Sequence, residues 1–578
     1  MIFPKFAADV FVSQIYTIFI MKLFRKLVFI MTTAVVLMSC TQRDVSVADY
    51  GVIPLPRTVN LDNNADCFRL ENGTTVVYPA ADSVMKRNAE LFAGYVKELT
   101  GLALTLSEES KKNNVIILHD NLVDSCSEAY RIIVSSDSIV VNGASASGVF
   151  YGLQTLRKAI TPEPNRGEND ILFPAGEIYD YPQFAYRGAH FDTSRHFFTP
   201  DSVKMFIDMI ALHNINKFHW HITDDQGWRI EIKSRPELAE KGQWRSGTVI
   251  VTTDEEGRAH FNDYDSIPYG GYYTQEQVRD IVRYAADRHI TVIPEIDMPG
   301  HMQAALATYP ELGCTGGPYE VWRRWGVSDD VLCAGNDSVY KFIEDVLGEI
   351  VELFPSELVH IGGDECPKVR WKECTKCQAM IKKLGLKSDA HGTAEQKLQS
   401  YLMGYAADFL QKHGRKIVGW NEMLEGGLPD GAVVMSWTGI NGAVEAARQG
   451  HDAILTPCKN FYFDFVQADK KIEPQGATWG GPTTVEDVYN FNPAPEGLSE
   501  SELNHIVGVQ ANLWCEYVTT MRHAQYMELP RMAALAEVQW RPYSEKNYEE
   551  FLTRLPRLAT HYDAMGYNYA KHVFNKGK

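Results

Sequence analysis

The stretch TQEQVRDIVRYAADRHITVIPE, residues 274–295, places a helical segment directly before a short apolar strand. The helix is predicted over 274–288, and the apolar run 291–295 that follows ends on an acidic residue. The same alternation recurs along the chain after Tyr181-Pro182. Strands that alternate with helices predict βαβ units and a parallel sheet.

Eight such strands are predicted in the region 181–578. They lie at 185–191, 217–221, 291–295, 358–362, 416–420, 433–437, 452–456 and 507–513. Helical segments are predicted between most of them, for example 201–213, 274–288, 338–353 and 393–412. This number predicts an α/β fold, a (β/α)8 TIM barrel with insertions. A doubly wound open sheet is the alternative, but no Gly-rich nucleotide turn follows the first strand.

The region 51–180 has a different pattern, which predicts a small α+β domain before the barrel. Its β-rich runs are 74–78, 114–118, 130–134 and 138–142, and its helical segments are 80–101 and 147–160. The first helix ends on a glycine, the usual residue just past a helix terminus.

The N-terminal segment has the features of an export signal. A basic segment that begins at Met21 precedes an apolar run, 27–38, which is short for a membrane span. Leu37-Met38-Ser39-Cys40 resembles a bacterial lipobox, in which the cysteine is acylated. We expect a lipoprotein signal at 1–39, lipidation at Cys40 and a polar tether at 40–50. The protein would then be exported and anchored in the periplasm or on the cell surface by its lipid alone. A plain signal peptide with an incidental Cys40 is the alternative.

Composition limits the partners and the metals. The formal net charge of −18 repels phosphate backbones and excludes nucleic acid as a partner. Cys374-Thr375-Lys376-Cys377 has the spacing of a zinc knuckle or a redox motif, but no second Cys-x-x-Cys completes four ligands, so we predict no metal site. A local disulfide or free thiols are expected there, and a bridge between Cys314 and Cys333 is left open.

Acidic and aromatic residues gather at the predicted carboxyl ends of the strands. Catalytic residues of such barrels come from these ends. The residues are Asp192, His221, Asp224, Glu295, Asp297, Asp364, Glu365, Trp420, Glu422, Trp437, Tyr462, Asp464, Trp514 and Glu516. Acids together with flat apolar faces indicate chemistry on a sugar.

Asp364 and Glu365 form the pair most suited to this chemistry. Gly362 and Gly363 let the chain leave the strand tightly, so both carboxylates emerge at the barrel rim. Glycoside hydrolysis commonly uses two carboxylates about 5–5.5 Å apart across the scissile bond, one of them the nucleophile. Adjacent residues of an extended chain point to opposite sides, which makes that arrangement hard to build here. A helix-capping or solvated acidic pair is the alternative.

Three other features leave alternatives open. His219 and His221 share a strand face, as in the zinc sites of amidohydrolases that are also barrels. Strands five and six end in tryptophan rather than histidine, so these histidines are expected to form hydrogen bonds in the barrel. His301 could contact a carboxylate or fill a polar niche of the core. Arg187 could be a buried ion-pair partner or a donor to sugar hydroxyls.

These motifs together resemble glycoside hydrolase family 20, the β-N-acetylhexosaminidases, over nearly all of the mature chain. The matching runs are 186–188, 192–196 (DTSRH), 219–229 (HWHITDDQGWR), 294–301 (PEIDMPGH), 360–365 (HIGGDE), 419–422 (GWNE) and 510–516 (QANLWCE). The region before the barrel, with YGLQTL at 151–156, looks like the α+β domain of this family.

The resemblance implies an exo-acting enzyme that removes terminal β-linked GlcNAc or GalNAc by substrate-assisted retaining catalysis. The substrate's acetamide oxygen would be the nucleophile, Glu365 the general acid and base, and Asp364 the residue that orients the acetamide. No cofactor is implied, and the partner is an oligosaccharide or glycoconjugate. Release of a disaccharide, or sugar binding by a non-catalytic lipoprotein, are the alternatives; the oligomeric state is left open.

The resemblance also implies roles for the residues around this pair. Tyr462 would bind the acetamide oxygen, and Trp420 and Trp437 would enclose the methyl group. Trp514 would stack under the ring. Arg187, Asp464 and Glu516 would bind the sugar hydroxyls, and Asp224 and His301 would tune Glu365.

Overall fold

The computed structural model describes residues 45–109, 111–163, 170–253, 259–477 and 479–575. The predicted signal segment 1–39 and Cys40 lie outside the described residues. Within these ranges, the helices are all too short or too polar to cross a bilayer.

Eight parallel strands close into a barrel, which confirms the predicted fold. In order they are Tyr186–Asp192, Lys217–His221, Thr291–Glu295, Leu358–His360, Lys416–Trp420, Val433–Ser436, Ala453–Leu455 and Ile506–Leu513. The last strand pairs with the first, with Arg187 opposite Val509. The fourth strand ends at His360, two residues before its predicted end, because Gly362 turns the chain with φ of 67°.

Helices surround the barrel and occupy its insertions. The longer ones are Pro200–Leu212, Gln275–Ala286, Asp337–Leu353, Thr375–Leu384, Ala394–Lys412, Asn441–Arg448, Met521–Glu528, Arg531–Trp540 and Tyr548–Ala564. The short ones are Glu237–Glu240, Gln303–Thr308, Pro310–Leu312, Val369–Glu373, Asn421–Leu424, Cys458–Phe461, Val485–Tyr489, Glu500–Leu503, Tyr543–Glu545 and Lys571–Asn575. Two hairpins pair Thr223–Asp224 with Gly227–Trp228 and Val249–Thr253 with Ala259–Tyr264.

The N-terminal domain is a mixed seven-stranded sheet with two helices, Ser83–Thr100 and Ala146–Ala159. Across the sheet the strands are Thr58–Leu61, Gly176–Asp180, Tyr130–Val134, Ser138–Gly143, Val115–His119, Thr75–Val77 and Thr105–Ser107. The first helix begins after Asp82, whose side chain accepts two backbone N–H groups, and it ends at Gly101 with φ of 79°. These interactions satisfy its two ends as helix capping requires.

The tether prediction is wrong for residues 45–50. Val45–Val47 pairs in parallel with Asp170–Phe173, in a three-stranded sheet completed by Phe68–Leu70. Ala48 and Tyr50 that follow are buried, and the Tyr50 hydroxyl donates to the carbonyl of Pro174 at 3.1 Å. The strand pairing and the burial of Ala48 and Tyr50 therefore order this segment.

Candidate active site

A cavity of about 330 Å³ opens at the carboxyl ends of the barrel strands. Its lining residues are Arg195, Gly326, Val327, Asp364, Glu365, Trp437, Tyr462, Asp464, Trp479, Trp514 and Glu516. Four carboxyl groups and one guanidinium line it, so the cavity favours a ligand that is neutral or gains positive charge. A larger depression of about 850 Å³, beside Glu357 and Lys416, lies at the opposite ends of the strands.

Two glycines place Asp364 and Glu365 at the rim, as predicted. Gly362 and Gly363 have φ of 67° and 99°, and Glu365 itself has φ of 43°. A Cβ at Gly362 would lie 1.6 Å from Oδ1 of Asp297, so only glycine fits at this turn. The Gln399 side chain donates to the carbonyl of Gly363 at 2.7 Å and holds the turn in place.

The two carboxyl groups of the pair have different environments. Asp364 is buried, and burial raises its pKa to about 6. The side chain of Glu365 is 43% exposed, and its contact with His301 lowers its pKa. Nε2 of His301 lies 3.7 Å from Oδ2 of Asp364 and 3.7 Å from Oε2 of Glu365. Both carboxylates therefore share one imidazole on one side of the cavity.

Asp224 supports His301 from below the cavity. Oδ1 of Asp224 lies 3.2 Å from Nδ1 of His301, and its Oδ2 lies 2.9 Å from the guanidinium of Arg195. Burial acts to raise the pKa of Asp224, but Arg195 and His301 outweigh it and hold the pKa well below its ordinary value. Asp224 therefore stays ionised and fixes both His301 and Arg195.

Three aromatic rings form one wall of the cavity. Trp437 stacks on Tyr462 with 6.0 Å between the ring centroids, and Trp514 lies 6.2 Å from Tyr462. The indole N–H of Trp437 donates to Glu422, whose pKa burial raises to about 8. Trp420 lies beneath this wall rather than on the cavity surface, 5.9 Å from Trp514.

Asp464 and Glu516 lie at the part of the cavity next to Trp514. Burial raises the pKa of both carboxyl groups above their ordinary values. Oδ1 of Asp464 is buried without a hydrogen-bond partner among the described residues. The carbonyls of Phe463 and Phe465 on either side of Asp464 accept hydrogen bonds from Arg531. A rigid, unpartnered acceptor of this kind suits a ligand hydroxyl.

The prediction that Arg187 binds the sugar is wrong. Arg187 is the second residue of the first barrel strand, at the end of the barrel opposite to the cavity. Its guanidinium forms an ion pair with Glu128 of the N-terminal domain and donates to the carbonyls of Phe184 and Asn214. Of the two roles left open by the sequence, the structure shows the buried ion pair.

Arg195 is the arginine that reaches the cavity, and sequence reasoning missed it. Asp192 ends the first strand and accepts hydrogen bonds from the backbone N–H groups of Ser194 and Arg195, which turns the guanidinium toward the cavity. The signal was present, because Arg195 follows the carboxyl end of a strand, where such barrels carry their site residues. Trp479, Gly326 and Val327 were also missed, and they come from loops whose positions no local pattern predicts.

His219 and His221 surround a buried carboxylate, as expected of hydrogen-bonding residues of the barrel. Nε2 of His219 lies 3.0 Å from Glu295, and Nδ1 of His221 also contacts this carboxylate. Nδ1 of His360 and the indole N–H of Trp420 lie 3.0 Å from its other oxygen. Glu295 thus links the floor of the cavity to the barrel interior.

Four cysteines converge beside the loops that follow the third and fourth strands. Cys314, Cys333, Cys374 and Cys377 bring their sulfur atoms within 4.8 Å of one another, and no disulfide joins the described cysteines. The prediction that no four cysteines come together was wrong, because Cys314 and Cys333, distant in sequence, complete the group without a second Cys-x-x-Cys. The disulfide between Cys314 and Cys333, which the sequence left open, is not formed.

Comparison with known proteins identifies the family. The model for "Glycosyl hydrolase family 20, catalytic domain" matches residues 184–543, and that for "Glycosyl hydrolase family 20, domain 2" matches residues 49–181. The chain belongs to glycosyl hydrolase family 20. It is 42% identical over 546 residues to a beta-hexosaminidase of Porphyromonas gingivalis, covering 92% of this chain and 66% of that relative's length.

Solved structures of family 20 share this architecture. A β-N-acetylhexosaminidase of Streptomyces coelicolor matches with a TM-score of 0.75 and 32% identity, over 90% of this chain and 97% of that one. An exo-β-N-acetylglucosaminidase of Vibrio harveyi, solved with N-acetylglucosamine, matches with a TM-score of 0.78 and 31% identity, over 91% and 79%. The predicted glycoside hydrolase of this family is thereby confirmed.

Proposed function

We propose that this family 20 chain is an exo-acting β-N-acetylhexosaminidase. It would remove terminal β-linked GlcNAc or GalNAc from the non-reducing ends of glycans, and the substrate's own acetamide would act as nucleophile. The observation that carries this proposal is the common position of Asp364 and Glu365 beside one nitrogen of His301. Two carboxylates on one side of the cavity do not face each other across a scissile bond, as an acid and an enzyme nucleophile would.

In the proposed first step, the side chains that line the cavity would make each contact with the acetamide group. The rings of Trp437, Tyr462 and Trp514 would enclose the acetamide methyl group, and the Tyr462 hydroxyl would donate to the acetamide oxygen. This oxygen attacks the anomeric carbon while Glu365 gives its proton to the leaving oxygen, and the glycosidic bond breaks. Asp364 accepts the acetamide N–H and stabilises the positive charge of the oxazolinium ion that forms.

The second step reverses the proton movement. Glu365, now ionised, takes a proton from a water molecule that attacks the anomeric carbon and opens the oxazolinium ring. The sugar leaves with its configuration retained, and Glu365 is protonated again. His301, held by Asp224, lies 3.7 Å from Glu365, so its charge would act on this carboxyl group through space.

The size of the cavity favours release of one sugar at a time. A volume of about 330 Å³ accommodates one ring with its acetamide, and Arg195, Asp464 and Glu516 line the part that would face the ring hydroxyls. Release of a disaccharide would need a second ring to extend past these three side chains. The relative from Vibrio harveyi, whose structure holds N-acetylglucosamine, is named as an exo-enzyme.

Turnover of 4-nitrophenyl N-acetyl-β-glucosaminide by Glu365→Gln tests the assignment. We expect kcat to fall at least about 100-fold, as for the loss of a general acid. Glu496→Gln removes an exposed acid that is not among the residues lining the cavity, and it serves as the control with unchanged kinetics. Near-normal turnover by Glu365→Gln would refute the assignment, and tight sugar binding by the wild type without hydrolysis would favour the non-catalytic alternative.

The corresponding 4-nitrophenyl β-glucoside tests the mechanism separately. This substrate has a 2-hydroxyl in place of the acetamide and lacks the proposed nucleophile. We expect the wild type to leave it intact. Comparable hydrolysis of the glucoside, with a glycosyl ester trapped on the protein, would show an enzyme nucleophile instead.

We also propose that the protein is an exported lipoprotein acylated at Cys40. Because residues 45–50 pack on the N-terminal domain, the tether of this proposal is limited to residues 40–44. Cys40→Ser should move the protein from the membrane fraction to the soluble fraction and abolish incorporation of labelled fatty acid. Unchanged membrane association of this variant would exclude the lipid anchor.

A further inference from the structure

We propose that Cys314, Cys333, Cys374 and Cys377 bind one structural zinc ion beside the active-site loops. The sulfur of Cys314 lies 3.8 Å from that of Cys377, and the sulfur of Cys333 lies 3.6 Å from those of Cys374 and Cys377. Cys333 and Cys377 are buried and the other two are half-buried, so the group is largely shielded from solvent.

The sulfur spacing is that of a tetrahedral zinc site. Zn–S bonds of about 2.3 Å in tetrahedral geometry place the sulfur atoms about 3.8 Å apart, close to the three separations of this group. A disulfide requires about 2.05 Å. Four thiols at metal-ligand spacing, with no pair at bonding distance, fit zinc better than two disulfides.

The backbone around the cysteines lets the two loops that carry them come close together. A Cβ at Gly335 would lie 2.2 Å from the backbone carbon of Lys376, so a glycine is needed for the two loops to meet.

Basic residues near the cysteines compensate the negative charge that the site would carry with zinc bound. Four thiolates around Zn²⁺ carry a net charge of −2, which is unfavourable in a protein of formal net charge −18. The segment 368–383, which supplies two of the ligands, has six basic side chains and one acidic side chain. This basic segment offsets the charge of the zinc–thiolate group.

Zinc at this position would fix the two loops that carry the catalytic residues. Cys314 and Cys333 bound the segment that contains Gly326 and Val327, which line the cavity. The N–H of Leu332 donates to the carbonyl of Pro299, two residues before His301. Cys374 and Cys377 lie on the loop and helix that follow Asp364 and Glu365. The zinc would therefore position His301 relative to the catalytic pair.

Metal analysis of the purified full chain tests this proposal without any substrate. We expect one zinc per chain by inductively coupled plasma mass spectrometry, and four cysteines that resist a thiol reagent until a chelator and a denaturant are added. The double variant Cys374→Ser, Cys377→Ser should lose the zinc. Cys67→Ser, which changes a half-buried cysteine of the N-terminal domain, should retain it.

A second measurement on the wild type covers the case in which the double variant does not fold. Titration with an organomercurial in the presence of a zinc-binding dye should release one zinc as four thiols react. Metal-free protein with four reactive thiols would overturn the proposal, and so would a mass four hydrogens lower from two disulfides. If the zinc positions the loops, its loss should raise KM several-fold and lower the melting temperature. The zinc content is independent of the proposed hexosaminidase activity, so the two proposals fail separately.

Discussion

Two arginines of the first barrel strand and its following turn, Arg187 and Arg195, lie at opposite ends of the barrel in similar surroundings. Each guanidinium carbon lies 4.9 Å from the centre of a tryptophan ring, Trp540 for Arg187 and Trp514 for Arg195. Each also pairs with a carboxylate, Glu128 in the first case and Asp224 in the second. The strand between them separates the two sites by roughly 16 Å.

The difference lies in how many donors remain for a ligand. A guanidinium has five N–H groups. Arg187 uses four in hydrogen bonds to Glu128, Phe184 and Asn214. Arg195 has three contacts within the described residues, to Gln226, Asp192 and Asp224, which leaves two N–H groups beside the cavity. The first arginine therefore joins two domains, and the second can bind substrate.

Of these changes, removal of Arg187 should have the largest effect on a free energy. It should change the free energy of unfolding and leave catalysis unchanged. Arg187→Met leaves the largely buried carboxylate of Glu128 without its cation, so we expect unfolding to become easier by about 3–5 kcal/mol. Denaturant unfolding measures this loss, and kcat/KM of the folded fraction should stay within about twofold. The double variant Arg187→Met, Glu128→Leu should recover part of the stability. A large fall in kcat/KM with unchanged stability would show that Arg187 acts in the active site.

Arg195→Lys should instead lower the activity rather than the stability. The variant keeps the charge next to Asp224 but loses the planar fork, and we expect kcat/KM to fall about 100-fold, or about 2.7 kcal/mol. A substrate that lacks the 4-hydroxyl should lose activity with the wild type and much less with the variant. Equal sensitivity of both enzymes to this deoxy substrate would show that Arg195 does not contact the sugar hydroxyls.

The pH dependence should reflect Asp364. Its carboxylate must be ionised to stabilise the oxazolinium ion, and burial raises its pKa to about 6. Glu365 must be protonated at the same time, and its contact with His301 lowers its pKa, so the gain of one form offsets the loss of the other between the two pKa values. We therefore expect kcat/KM to decrease about tenfold per pH unit above pH 6, and again below the lowered pKa of Glu365 as ionised Asp364 is lost. The Arg187→Met variant should keep this acid limb. A value of kcat/KM that stays constant well above pH 6 would contradict the assigned environments of Asp364 and Glu365.

Trp479→Ala should have the smallest effect. Trp479 lines the rim of the cavity with 67% of its surface exposed, packed edge-on against Tyr462 and Phe465. We expect a two- to fivefold rise in KM, little change in kcat and a stability change within about 0.5 kcal/mol. A much larger loss for an oligosaccharide than for a nitrophenyl sugar would place Trp479 in contact with the second sugar.

Features that repeat along the chain could be predicted from the sequence. All eight barrel strands were placed within two residues of their bounds, because each is a short apolar run between helices. The turn at Gly362 and Gly363 was predicted from the local sequence alone, since two glycines after a strand allow the positive φ found there. The acids and tryptophans at the strand ends followed from the rule for barrel sites.

Features that depend on contacts distant in sequence could not be predicted. The buried ion pair of Arg187 forms with Glu128, 59 residues earlier in the N-terminal domain, and no local pattern predicts it. Cys314 and Cys333 lie far in sequence from Cys374 and Cys377, and the group forms only when two loops meet at Gly335. Val45–Val47 is ordered by a strand more than one hundred residues away.

A crystal structure with a thiazoline analogue of the oxazolinium ion tests the central claim most directly. We predict that the ring nitrogen lies within hydrogen-bonding distance of Asp364 and that Arg195 donates to the ring hydroxyls, while Arg187 keeps its contacts with Glu128. The thiazoline methyl group should lie against the aromatic wall of Trp437, Tyr462 and Trp514. A thiazoline nitrogen that points away from Asp364, or a sugar ring outside this cavity, would contradict the account.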